Sequence, residues 1–201
     1  GVTTVRDCGS KYNTAFYVKE AVRLGIAPGP RMLVCGRPIT ITGGHLWYMG
    51  SEATGEIAVT EMVRQLVKEG ADFIKIVATG GSTRTSVPYR PSFNQNEIKA
   101  MVNEAHKFGK LTAAHCVGTE GILNALESGI DTIIHCRFFE PDGTPTFRPD
   151  IAEIIAEKGI WVDATVAQAW ARQLALEIKE GKGEILTEIE INEIQQIKES
   201  R

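Results

Sequence analysis

Apolar, β-branched runs alternate with amphipathic stretches along most of this chain. VTTVRD at 2–7 precedes TAFYVKEAVRLG, and RMLVCGRPI at 31–39 precedes EIAVTEMVRQLVKEG after a Gly/Thr-rich loop. FIKIVATGG at 73–81 leads through a long polar loop into NQNEIKAMVNEAHKFG. LTAAHC at 111–116 then precedes GTEGILNALESG, DTIIHC at 131–136 precedes DIAEIIAEKG, and WVDATV at 161–166 opens a charged helical tail. The first kind of segment is a continuous apolar run, as in parallel strands covered on both faces; the second has helical spacing. Asn94, with Glu97 three residues on, predicts a capping box, and glycines at 25, 70, 109, 129 and 159 close helices just before the next strand.

Six such alternations leave two architectures, an open doubly wound sheet or a (β/α)8 barrel. No GxGxxG or Walker motif follows the first strand, which argues against a nucleotide-binding sheet. Asp7, Lys75, His115 and His135 all fall at C-terminal strand ends, where a barrel keeps its chemistry. The expected fold is therefore α/β, an incomplete (β/α)8 TIM-type barrel of six β/α units in 201 residues. A full barrel takes about 250 residues, so roughly two units are missing. Residues 1–170 are expected to form the partial barrel and 171–201 a helical continuation of the same domain. GVTTVRD already has the character of a buried strand, so the chain is expected to begin inside a domain.

Composition narrows the functional classes. A formal net charge of −3 and a pI near 5.9 give no reason to expect nucleic acid or an anionic membrane as partner. No apolar run approaches the ~18 residues that span a bilayer. Four cysteines without a CxxC motif suggest reduced thiols, and hence a cytoplasmic setting.

The candidate chemistry begins with two strands that each finish on His-Cys. Neighbours along a strand point to opposite faces, so if His115 and His135 enter the barrel mouth, Cys116 and Cys136 face the helices. Two imidazoles at matching height on adjacent strands suit a shared metal; two core histidines satisfied by carbonyls are the plainer alternative. Lys75 lies inside FIKIVAT between Ile74 and Ile76 with no opposite charge in the run. Such an ammonium must be paired, neutral or chemically modified, or else snorkel to the rim. A neutral amine can take up carbon dioxide as an anionic carbamate.

Taken together, GVTTVRDCGS, GPRMLVCGRPITITGGH, GADFIKIVATGG, EIKAMVNEAHKFGKLTAAHC and GIDTIIHC resemble the metal-dependent amidohydrolase superfamily, in its imidazolonepropionase-like and prolidase-like branch, up to about residue 166. The resemblance implies one or two divalent metals, commonly zinc, at the barrel mouth. It implies a carboxylated Lys75 bridging them, with His115 and His135 on the more exposed metal. It also implies a substrate-contacting role for His45, which as a loop histidine has a local structural role as its alternative. The His-x-His pair of the family's first strand and the aspartate of its eighth, the general base, have no counterpart here, so the catalytic base is left unassigned.

The expected function is metal-dependent hydrolysis of an amide, peptide or cyclic amide by metal-activated water, on a small-molecule amide or dipeptide. The alternative is a truncated, non-catalytic metal-binding or structural fragment. Unpaired edge strands predict a homo-oligomer. Arg84 and Arg90, in the long loop at 78–93, are candidates to meet a substrate carboxylate.

Overall fold

The computed structural model describes residues 1–187, 190, 191, 194 and 195. These form two compact units, Gly1–Asp163 and Ala164–Arg201. In the first, strands and helices alternate strictly: β1 Thr4–Asp7, α1 Thr14–Arg23, β2 Arg31–Val34, α2 Glu56–Glu69, β3 Ile74–Val77, α3 Gln95–Lys107, β4 Thr112–Gly118, α4 Thr119–Glu127, β5 Thr132–Phe139, α5 Pro149–Glu157 and β6 Trp161–Asp163. Every ladder is parallel, with β1 on β2 and then β3, β4, β5 and β6 side by side in chain order.

The two ladders are joined by the extension of β2. Ile39 N donates to the Lys75 carbonyl at 2.8 Å, and Val77 N donates to the Ile39 carbonyl at 2.9 Å. The neighbour order is thus that of consecutive barrel strands, and the arrangement fits an incomplete barrel. The expected strand at 31–39 is interrupted because Gly36 takes φ 70°, and a Cβ there would meet the Phe16 ring at 2.4 Å.

Strand alternation sorts the side chains into two layers. Ile74, Ile76, Ala114, Cys116 and Ile133 face the helices in the main core, with Val63, Leu66, Ile98, Met101 and Ile122. Cys35, Phe73, Ala113 and Ile134 form a smaller cluster on the inner face, with Cys8 against it. Lys75 falls between two outer-layer isoleucines and therefore belongs to the inner face.

Local signals explain the element ends. Asn94 Oδ1 accepts from Glu97 N at 3.0 Å, and Glu97 Oε2 accepts from Asn94 N at 2.9 Å, which completes the expected capping box. Glu97 Oε1 also accepts from Gly55 N at 2.8 Å, tying the starts of α2 and α3 together. Arg37 is buried and held by Glu69, Ser51 and Asn13.

The second unit holds α6, Val166–Gly181, and a link from Lys179 Nζ to Glu190 Oε1 at 2.8 Å. Residues 188, 189, 192, 193 and 196–201 of the expected helical continuation lie outside the described residues. Among the described residues no helix is long and apolar enough to cross a membrane.

Candidate metal centre

Three imidazoles converge at the C-terminal ends of the strands. The ring of His115 lies 4.8 Å from that of His45 and 4.7 Å from that of His135, centroid to centroid. His115 ends the inward-facing run of β4, opposite Ile134 in the ladder. Its Nε2 lies 2.9 Å from the Gly80 carbonyl, which can only accept, so Nε2 carries the proton and Nδ1 keeps its lone pair. Burial, followed by the charge of Lys75, holds this imidazole well below the usual histidine range, so it is neutral.

His135 reaches the cluster differently from what its motif suggests. In the ladder it is Cys116, and not His115, that lies opposite His135, so the two His-Cys endings are offset by one residue. Ile133 faces the helices and Ile134 the inner layer, so simple alternation would send His135 outward. Left-handed backbone at His135 (φ 74°) and Cys136 (φ 51°) breaks that alternation and brings the ring edge-on to His115. Such conformations are sparsely populated by non-glycine residues and occur where surrounding structure enforces them. The inference of equal height is thus replaced by an offset corrected by a backbone kink. Burial, Lys75 and Arg137 push the His135 pKa down to about 4.

Lys75 is 4% exposed. None of the described carboxylates forms an ion pair with it, and burial drives its pKa down against the opposing influence of the Cys8, Cys35 and Cys116 thiols. A desolvated amine in this state is chemically suited to carbamate formation. Cys116 is buried in the outer layer and Cys136 packs against it, so neither thiol is offered to the histidine cluster. Burial raises the pKa of both thiols.

His45 stands on the loop between β2 and α2 and is 6% exposed. Its Nδ1 is 2.8 Å from Thr83 Oγ1 and accepts from Thr83 N at 3.3 Å. Gly81 lies directly beneath the ring, and a Cβ there would sit 2.4 Å from His45 Nε2. Thus Gly80 aims one imidazole through its carbonyl, while Gly81 leaves room for another. The GGS segment at 80–82 has a superficial likeness to a phosphate cradle in sequence. Its structural use is to hold two histidines, which no local pattern announces. Arg84 and Arg90 are both exposed on the same loop.

His106 belongs to a separate cluster at the strand starts. Its Nε2 lies 2.9 Å from Asp131 Oδ2, which also accepts from Thr112 N and Thr112 Oγ1 at 2.7 Å each. Through Asp131 it fastens α3 to the starts of β4 and β5.

The donor chemistry fits a divalent metal in part. Neutral imidazoles beside a desolvated lysine suit a borderline cation. Among the described residues, however, no group of three or more His, Cys, Asp or Glu is placed to hold one. What the described residues bring together is three imidazoles, with Lys75 buried on the same inner face.

Known proteins resemble this chain in sequence and fold. The sequence model of the amidohydrolase family matches residues 1–191. An ochratoxinase from Aspergillus niger is 26% identical over 79% of this chain and 40% of its own length. The crystal structure of the A. niger ochratoxinase superposes with a TM-score of 0.74 at 25% identity, covering 100% of this chain and 48% of that one. A Xaa-Pro dipeptidase with methionine bound in its active site superposes with a TM-score of 0.77 at 29% identity, covering 88% of this chain and 45% of that one. The chain therefore spans less than half the length of these relatives.

Proposed function

This chain belongs to the amidohydrolase family, and on that premise we propose that it carries half of the active centre of a metal-dependent hydrolase of C–N bonds. The substrate class is a small-molecule amide or dipeptide, with a prolidase-like activity the favoured member because a Xaa-Pro dipeptidase is among its structural relatives. The observation that carries the reading is the convergence of His45, His115 and His135 at the C-terminal strand ends, on the same inner face as an unpaired, buried Lys75.

In this reading Lys75, as its carbamate, with His115 and His135, holds a divalent metal such as zinc. When bound, such a metal would supply Lewis acidity and would make water a stronger acid there. The chain's own residues do the rest of the work described here. His115 offers Nδ1 because its Nε2–H donates to the Gly80 carbonyl. His135 is aimed by its left-handed backbone, and its burial favours the neutral imidazole. Burial of Lys75 disfavours the ammonium and so promotes reaction of the free amine with carbon dioxide, which releases one proton. His45 contacts the substrate, and Arg84 or Arg90 on the rim meets its carboxylate. The proton-shuttling aspartate is not assigned to any residue of this chain. Four free cysteines support a reducing, cytoplasmic setting.

A second reading, a non-catalytic fragment of such an enzyme, is favoured by the incomplete ligand set. The two are separated by assaying a panel of dipeptides and N-acyl amino acids with the wild type, Lys75→Ala and His115→Ala. Turnover that falls at least about a hundredfold in both variants supports the enzyme reading. Turnover indifferent to both substitutions would contradict the site assignment.

A further inference from the structure

Thr40 is wholly buried, and among the described residues its Oγ1 meets no hydrogen-bond partner. The main chain around it is occupied: Thr40 N donates to the Ser51 carbonyl at 3.0 Å, and the Thr40 carbonyl accepts from Ala53 N at 2.9 Å. The side-chain hydroxyl alone is left over. A buried hydroxyl without a partner is costly, and it marks a place where an acceptor is expected.

The direction of that hydroxyl follows from strand periodicity. Ile39 and Ile41 both pack with the main core, so Thr40 between them belongs to the inner face, as Lys75 does between Ile74 and Ile76. Ile39 lies opposite Ile76, joined through Ile39 N to the Lys75 carbonyl and Val77 N to the Ile39 carbonyl. Thr40 therefore stands opposite Val77, whose other neighbour is His115, in the next inner row beyond Lys75. Strand spacing and rise put the Thr40 and Lys75 backbones about 8 Å apart, a diagonal that a lysine side chain spans. Gly44 covers the hydroxyl, since a Cβ there would lie 2.7 Å from Oγ1.

We propose that Thr40 is a positioning residue for a carbamate on Lys75, its Oγ1–H donating a hydrogen bond to a carbamate oxygen and so stabilising the modified lysine. The inference rests on the hydrolase reading for the carbamate itself. The step is an addition. The Lys75 amine nitrogen attacks the carbon of carbon dioxide, an N–C bond forms, one C–O π pair moves onto oxygen, and the nitrogen gives up a proton to solvent water. The product carries oxygen acceptors that an ammonium lacks, and a hydroxyl donates more strongly to an anion than to a neutral group.

The test is 13C NMR of the full chain equilibrated with 13C-labelled bicarbonate, with the carbamate signal assigned by its loss in Lys75→Ala. Thr40→Val keeps the shape of the side chain. Without the orphan hydroxyl it is expected to be at least as stable as the wild type in bicarbonate-free buffer. Its carbamate is expected to need about tenfold more dissolved carbon dioxide for half occupancy, whereas Thr40→Ser matches the wild type. A Thr40→Val protein with wild-type carbamate occupancy would overturn the role of Thr40 and leave a buried water as the hydroxyl's partner. A wild type with no carbamate signal would overturn the proposal together with the carbamate reading of Lys75. The two failures are distinct, because only the second abolishes the signal.

Discussion

At the residue scale the candidate site is shaped by close approaches that leave no room for a side chain. Gly80 and Gly81 show this most sharply. A methyl group on Gly80 would meet the Val87 carbonyl at 2.0 Å, and one on Gly81 would meet the His45 ring at 2.4 Å. Gly81→Ala is therefore expected to lower stability by about 1–3 kcal/mol and to displace His45, measurable by urea denaturation. Gly43→Ala, where nothing lies within 4 Å of the added atom but φ is 70°, should cost about 1 kcal/mol from backbone strain alone. Asp131 gives a pH-dependent counterpart. Burial pushes its carboxyl up, but hydrogen bonds from His106 and Thr112 outweigh this and leave it below its ordinary range. The folded pKa thus lies below the unfolded one, so the stabilisation is complete above about pH 4–5 and is lost as pH falls through the folded value. Asp131→Asn should cost about 1 kcal/mol at pH 7, discounted because the side chain is 26% exposed, and the difference from wild type should vanish in acid. Equal destabilisation at pH 7 and pH 2 would contradict that assignment.

At the element scale the alternation of strands and helices was legible because the central strands β3 and β4 are buried on both faces, whereas β1 and β6 are largely exposed, and the helices are amphipathic. Ile74 and Ile76 on the outer layer, with Lys75 between them, follow from strand periodicity alone. The capping box at Asn94 was equally legible, since it depends on residues three apart. What the pattern could not show is Glu97's second bond to Gly55, which depends on how α2 and α3 pack. Glu97→Ala is accordingly expected to cost about 2 kcal/mol, more than the ~1 kcal/mol of Asn94→Ala, as measured by thermal or chemical unfolding. The kink in β5 was illegible for a related reason. Two identical His-Cys endings suggest identical register, but the ladder offsets them by one, and only the left-handed backbone at His135 and Cys136 restores convergence. Nothing in DTIIHC carries a glycine or asparagine to announce such a conformation. The candidate site residues were therefore visible as chemical types, whereas the hydrogen-bonding partners of His115 and His45, Gly80 and Thr83, were not.

At the scale of the whole molecule the question is how much of an active centre this chain holds. The unit Gly1–Asp163 presents strands in barrel order, and among the described residues β1 and β6 are each paired on one side only. Trp161 on β6 is 77% exposed, and Leu111 just before β4 is 60% exposed. Unpaired edges and bare apolar surface predict self-association of the isolated chain, and a compact monomer across a wide concentration range in sedimentation would argue against it. The central claim is nevertheless chemical: Lys75, His115 and His135 belong to one metal centre. Metal content per chain, measured by elemental analysis after purification with bicarbonate and zinc, tests this most directly when wild type is compared with His135→Ala. The account predicts about one equivalent in the wild type and its loss in the variant. A folded wild type that binds no metal, or a variant that retains it in full, would contradict the claim.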